Sequence, residues 1–571
     1  MANAAGDEVR ITGLRLQGTS RSTARNQTGS IGVYAHEDSF VHTIVDHNDI
    51  SAWTENGVRA GGNDSLTATV CDSSETSDPQ ARPHKTFVVR NFIHHNRMQD
   101  FGYGVEANVG GYPFIDGNTF VSNRHAIASG YGTVHSGYRA WHNLVLSDAP
   151  LQTGFGPFDF YTHDFDMHGM NCNGFGGSGG DYVEMFQNTF LGANRHNYEL
   201  RGNPCNSTDY HSNVSLESEG DAVNFNANSC GIQVGGSTDN INVGSNPNQF
   251  GFANPTNRLG VGDFDGDGDQ DVFLATGTAW YYAPAANAEW RFLSTKTEKI
   301  DQVLLGDFDG DGRTDVVAIH NGQFVVSWAG ISDWEVLNAD PTGGRLYLLP
   351  SAVTAMAVGD FDGDGVADIF WADTINWWVS YGGNNPFVLV QSSSFGLNDL
   401  RFGDFDGNGT TDVFGVVSER WMVSYSPRLV RNHLFSNWTP LPVSLTSTVD
   451  GLVVADFNGD GIADVAKIGN MNFSLLPFGV SVLSWNWMFS YDGASGWTSH
   501  QITPTTSGPE PCSLTFTVSQ FENAPLLAAI APFAGNPGED ILLWGSSGGN
   551  NFCLVPGGTG DARRQSRQDM R

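Results

Sequence analysis

Asp263–Phe273 reads DFDGDGDQDVF, and four later stretches repeat it: DFDGDGRTDVV from Asp307, DFDGDGVADIF from Asp360, DFDGNGTTDVF from Asp404 and DFNGDGIADVA from Asp456. Counted from the first Asp, oxygen side chains fall at positions one, three, five and nine. They are Asp263, Asp265, Asp267 and Asp271; Asp307, Asp309, Asp311 and Asp315; Asp360, Asp362, Asp364 and Asp368; Asp404, Asp406, Asn408 and Asp412; and Asp456, Asn458, Asp460 and Asp464. Oxygen ligands brought round one point suit a hard cation, so the spacing predicts about five Ca2+ sites. Gly266 and Gly268 permit the sharp turns this requires. Position seven would offer only its backbone carbonyl and is free to vary, as Asp269, Arg313, Val366, Thr410 and Ile462. Without a cation the clustered carboxylates repel, and some are expected to raise their pKa. An EF-hand needs flanking helices and a Glu at position twelve. Here that position holds Leu274, Ala318, Trp371, Gly415 and Lys467, and the flanks are short β-like runs.

The repeats start 44, 53, 44 and 52 residues apart, a period that suits propeller blades. Aromatic strand phrases follow, such as WWVSYGG from Trp377, WMVSYSP from Trp421 and WMFSYDG from Trp487. Large and small residues alternate between glycine turns, as in the antiparallel strands of a blade. A sixth unit, APFAGNPGEDILLWG, keeps Phe533 and Asp540 but has Pro532, Ala534 and Asn536 where ligands would stand. It is expected to fold as a blade without binding calcium. This half of the chain resembles the FG-GAP/VCBS repeat family, which includes the propellers of integrin α subunits. The resemblance implies a calcium-binding β-propeller over 251–558, six- or seven-bladed, serving as a binding or adhesion module. Such propellers meet many partners, so the resemblance decides no activity.

Residues 1–250 have another texture. Short apolar triplets recur beside asparagine at Asn48, Asn91, Asn118, Asn143, Asn188 and Asn213, spaced 43, 27, 25, 45 and 25 residues apart. Coils of about 25 residues, some with inserted loops, predict a right-handed parallel β-helix. Asn side chains stacked from coil to coil would then bond one another. The stretch resembles the parallel β-helix repeats of pectate lyases and related carbohydrate-active proteins; a β-sandwich with Asn-rich turns is the alternative. The fold class is all-β, with segment 559–571 an expected disordered tail.

The chain has 62 acidic and 28 basic residues and a formal charge of −34. That balance argues against nucleic acid and anionic membranes as partners. No apolar run reaches the length of a membrane span. Four of the basic residues are lysine, in keeping with a GC-rich, bacterial genome. Of six cysteines, Cys71, Cys172, Cys205 and Cys230 lie in the first part and Cys512 and Cys553 in the second, an even count in each. Even counts suit disulfides in an oxidising compartment, with Cys172–Cys205 and Cys512–Cys553 the pairs expected; buried free thiols are the alternative. Together with calcium this predicts an extracellular or cell-surface protein. The start, MANAAGDEVRITGLRLQG, has no signal-peptide pattern and reads like an internal coil, so the natural protein is expected to begin further upstream.

Thirteen of the 16 histidines lie between His36 and His211. The densest group, YTHDFDMHGMNC, holds His163, Asp164, Asp166 and His168 within one of the widened coil spacings, and NRHNYELRG offers Arg195, His196, Glu199 and Arg201 one coil later. Imidazoles with carboxylates could bind a transition metal or act as acid and base; a solvated loop explains them equally. Glu199 and Arg201 would share a strand face and could simply pair, with Glu184 joining them. Three functions remain open. The first is recognition of an extracellular polysaccharide or surface glycoprotein, with Trp377, Trp378, Trp421 and Trp487 as stacking candidates. The second is a polysaccharide lyase or glycoside hydrolase on the β-helix, with Asp164, Asp166, His168, Arg195 and Glu199 as catalytic candidates by analogy of fold. The third is a structural stalk.

Overall fold

In a computed structural model, the first part of the chain is described at residues 8–18, 29–36, 42–61, 85–96, 101–129, 136–146, 163–168, 180–191, 196–201, 204, 206–215, 222–225 and 237–242. The second part is described at 259–287, 289–428, 434–476, 479–502, 515–516, 527–531, 540–544, 552–555 and 563–564. All six cysteine side chains lie outside the described set, and so do the disulfide expectations.

The first part winds through three parallel sheets of eight, eight and seven strands, one strand of each sheet per coil. Pro113–Asp116, Thr119–Val121 and His125–Ser129 make one such coil. This is the expected parallel β-helix, and it excludes the β-sandwich. Residues of matching register stack into columns, Val45 on Val88 on Ile115 on Ala140 on Met185 on Tyr210. These side chains, with Ile50, Ile93, Phe120, Val58, Val105, Ile127 and Phe165, form a fully buried interior.

The asparagines run along one corner of the stack. Each Nδ2 reaches the next Oδ1: Asn48 to Asn91 at 3.0 Å, Asn91 to Asn118 at 2.9 Å, Asn118 to Asn143 at 3.1 Å, Asn143 to Asn188 at 2.9 Å, and Asn188 to Asn213 at 3.0 Å. Asn240 extends the ladder at 3.2 Å. The residue before each is left-handed, from His47 (φ 54°) and Arg90 (φ 52°) to Asp239 (φ 55°). That conformation is costly for residues with a Cβ. The ladder offsets it by satisfying backbone groups the turn exposes, as where Asn118 Nδ2 donates to Val88 O at 2.7 Å. A second, shorter ladder joins Asn96 to Asn123 at 2.8 Å.

Antiparallel sheets follow, each with four strands paired in sequence order and one of them with a fifth, Thr515–Phe516. In the first blade Leu259–Gly262, Asp271–Ala275, Trp280–Ala283 and Arg291–Ser294 pair in sequence order. Five blades carry the acidic loop, where a ring of six or seven was expected. A further four-stranded sheet of Leu527–Ala531, Asp540–Trp544, Phe552–Val555 and Arg563–Arg564 comes after them without that loop, its first strand beside Leu259–Gly262. Arg563–Arg564 falls within the segment read as a disordered tail, yet pairs with Cys553 and Leu554.

Neighbouring blades are tied through their loops. Thr314 N donates to Asp263 O at 2.6 Å, Ala367 N to Asp307 O at 2.7 Å, Thr411 N to Asp360 O at 2.7 Å and Ala463 N to Asp404 O at 2.6 Å. The β-helix also shares a core with the first blade: Val121, Leu144, Leu146 and Leu191 pack with Val272, Leu274, Tyr281 and Trp290. Tyr281 Oη donates to His142 O at 2.7 Å across this seam.

Candidate functional site

Two constellations carry chemistry. The first lies on the seven-stranded sheet of the β-helix, where coil stacking brings together residues far apart in sequence. Asp166 is wholly buried at its centre. Arg201 meets both of its oxygens, with Nε 3.3 Å from Oδ1 and Nη2 on Oδ2. His168 Nε2 contacts the same Oδ2, His163 Nε2 lies 3.1 Å from it and His125 Nε2 3.8 Å. His163 reaches the other way through Nδ1, 2.9 Å from Glu199 Oε2. His125 stacks on His163 with centroids 4.2 Å apart and on Tyr103 at 5.3 Å.

These surroundings pull neighbouring groups in opposite directions. Burial, reinforced by His163, drives His125 well below the ordinary histidine pKa and keeps it neutral. Burial would lower His163 too, but Asp166 and Glu199 outweigh it and push His163 up to about 9. Burial would raise Asp166, yet the charges of His168 and His163 hold it well below the carboxylate range. Two stacked imidazoles thus differ in protonation near neutrality, the condition for dividing acid and base roles.

Of the catalytic candidates read from sequence, Asp166, His168 and Glu199 come together here. Asp164 does not join them; its Oδ2 accepts from Asn197 Nδ2 at 3.2 Å instead. Arg195 lies outside the described residues. Arg201 grips Asp166, Glu199 meets His163, and Glu184 pairs with Arg139 on another sheet. His125 and Tyr103 were missed because only coil stacking sets them beside the His163 segment. A column reading of the histidines, one coil apart, would have found His125.

The second constellation is the set of acidic loops, each joining the first and second strands of its blade. Strands on both sides rule out EF-hands. Gly266 and Gly268 hold φ of 78° and 95°, and oxygens of Asp263, Asp265 and Asp271 converge within 4.8 Å. Asp307, Asp309 and Asp311 converge likewise, as do Asp360, Asp362 and Asp368, and Asp404, Asp406 and Asp412. In the fifth loop Asn458 Nδ2 donates to Asp460 Oδ2 at 3.0 Å. The ninth-position Asp is anchored by backbone amides: Asp368 accepts from Phe361 N at 2.8 Å and Gly382 N at 2.7 Å. Each oxygen keeps a further lone pair. Burial above all, with the neighbouring carboxylates, pushes Asp271, Asp368, Asp412 and Asp464 up to about 7 and Asp315 up to about 6. The donor set is all oxygen, so these residues fit a hard divalent cation.

The stacking tryptophans are corrected by the blades: Trp377, Trp421 and Trp487 are buried core, and only Trp378 is half-exposed, with Arg345 over its ring at 4.9 Å. Among the described residues no helix is long and apolar enough to cross a membrane.

The FG-GAP-like repeat family matches residues 263–318, 307–371 and 404–466, so the loop-bearing blades are FG-GAP-like repeats. No curated protein sequence matches the chain. Among solved structures the chain is similar to an Agrocybe aegerita lectin described as recognising non-reducing terminal N-acetylglucosamine, at 15% identity and TM-score 0.34, over 55% of this chain and 81% of that one. It is also similar to the Tc holotoxin pore of Photorhabdus luminescens, at 17% identity and TM-score 0.33, over 51% of this chain and 13% of that one. A biofilm matrix protein of V. cholerae aligns at 11% identity and TM-score 0.18, over 53% of this chain and 68% of that one.

Proposed function

We propose that this chain is an extracellular calcium-binding protein whose propeller recognises carbohydrate or a cell-surface partner and is carried on the β-helix. One observation bears the weight: in four of the loops three carboxylates each place an oxygen within 4.8 Å of the others, and burial pushes the ninth-position pKa up in all five. An anion held at such cost is what a resident cation relieves. Ca2+ supplies positive charge there; the chain supplies the carboxylates and the glycine turns. Recognition is supported by apolar side chains left in water on one loop, Leu346, Tyr347 and Leu349, beside half-exposed Trp378. Calorimetry on chelator-treated protein tests the calcium reading. Several sites are expected, and Asp360→Ala should remove about one of them. No calcium-dependent change in melting temperature would sink it.

A second reading is processing of a polysaccharide on the β-helix, favoured by the oppositely protonated His125 and His163 beside Asp166. Incubation with acidic and neutral polysaccharides in calcium separates the two. New unsaturated or reducing ends, lost in His168→Ala, support the enzyme. Retention on a glycan without products supports the binding module.

A further inference from the structure

His125 poses a problem that the carbohydrate readings leave unsolved. Its Nδ1 lies 2.9 Å from the carbonyl oxygen of His163. A carbonyl only accepts, so Nδ1 carries a hydrogen and Nε2 is the ring nitrogen left to act as a ligand. That Nε2 is wholly buried without a hydrogen-bond partner and faces Asp166 Oδ2 at 3.8 Å. The 3.8 Å gap is too long for a hydrogen bond, so a buried nitrogen and a buried carboxylate oxygen face each other unbridged, and a cation between them would serve both. His168 Nε2 closes on the same point: ligand atoms of His125, Asp166 and His168 all lie within 4.8 Å of one another.

We propose that His125 Nε2, Asp166 Oδ2 and His168 Nε2 form a binding site for a divalent transition metal of the Zn2+ class. Two imidazole nitrogens and one carboxylate oxygen are the donors such ions prefer, whereas the propeller loops offer oxygen alone. Three protein ligands leave a fourth position for water or another small ligand. The outer contacts follow the pattern of built metal sites. The His163 carbonyl orients the His125 ring, and Arg201 Nε holds Asp166 through Oδ1. Arg201, whose side chain is partly exposed, also touches Oδ2 and His163 Nε2 lies 3.1 Å from it, so both compete with the metal for that oxygen. Partly exposed His168 marks the side from which the ion enters. The site shares His125, Asp166 and His168 with the polysaccharide-processing reading, but its metal signal is read directly and stands or falls whether or not the chain binds or cleaves a glycan.

The test uses the full chain in millimolar Ca2+, which keeps the propeller loops occupied, and titrates Co2+ while following its visible ligand-field absorption. About one equivalent is expected to bind with the intensity of a four-coordinate site, and Zn2+ should displace it. His168→Ala and His125→Gln should abolish the band, Asp360→Ala should leave it intact, and Arg201→Gln should strengthen binding by removing one competitor. His168 is the exposed ligand, so its variant decides the matter if His125→Gln fails to fold; an unchanged melting temperature verifies the comparison. Absence of a Co2+ band, or a band that persists in His168→Ala, overturns the site and leaves the cluster an ion-pair network centred on Asp166.

Discussion

Asp368 sets a sharp expectation for how the propeller responds to pH. Its carboxyl is raised from 3.8 to about 7 by burial and by Asp362 and Asp360, against two backbone amide bonds. In ion-free protein the folded state therefore holds a proton between about pH 4 and pH 7 that the unfolded chain has released. Stability is then greatest at the acid end of that window and falls as pH rises through 7. The gap of about 3 pH units corresponds to about 4 kcal/mol for one site, at ~1.4 kcal/mol per unit, as an upper bound. Asp271, Asp412 and Asp464 behave alike. Even a quarter of that figure at each of the four totals about 4 kcal/mol, a large part of a domain's stability.

The assay is the melting temperature at pH 5 and pH 8, in chelator and in calcium. In chelator it should drop by on the order of 10 °C across the interval. Calcium should cancel most of the drop, so its stabilising effect is larger at pH 8. His163, raised to about 9, adds stability below its unfolded pKa that is lost toward pH 9. That loss runs in the same direction but is indifferent to calcium at the propeller, so the calcium arm separates them. Asp368→Asn should flatten the chelator slope by less than about a quarter, since Asp315 and His163 titrate in the same interval beside the four similar aspartates. A chelator melting temperature that is level or rising between pH 5 and pH 8, or a calcium shift equal at both, refutes the reasoning.

Other outcomes follow from packing. Asn118→Ala removes the partner of Asn91 N and of Val88 O inside the stack, and should cost about 3 kcal/mol in urea unfolding, whereas Asn240→Ala at the end of the ladder should cost under about 1 kcal/mol. Tyr281→Phe strands the buried His142 carbonyl at the seam between β-helix and propeller; about 1–2 kcal/mol should be lost, seen as a lower denaturation midpoint. Trp377→Ala should cost about 3–5 kcal/mol as a core truncation, while Trp378→Ala, which loses packing and a bond to Asp373, should cost less and weaken glycan retention.

Much of the architecture was legible because it rests on local rules repeated along the chain. The DxDxDG loops announce strands on either side, since five similar turns at blade spacing have few other uses. The six asparagines found by spacing all stand in the ladder, because each coil must turn through a left-handed residue and satisfy the same backbone groups. What spacing missed, Asn240 and the Asn96–Asn123 pair, lies at the end of that ladder or at a second corner. The blade count, the burial of Trp377, Trp421 and Trp487, and the diversion of Asp164 to Asn197 were decided in three dimensions. Strand alternation does not say which aromatic faces a neighbouring blade.

The Asp166 cluster shows the division most plainly. Sequence by itself determined that histidine and carboxylate are concentrated near His163 and that oxygen ligands recur in the second half. Only the tertiary structure decided that His125, thirty-eight residues upstream of His163, stacks on its ring, and that Arg201 closes on Asp166. The physical reason is that inserted loops vary the length of each coil. Residues that meet across a parallel rung are fixed by the stacking of coils and the backbone bonds between them, and no fixed interval along the chain encodes that meeting.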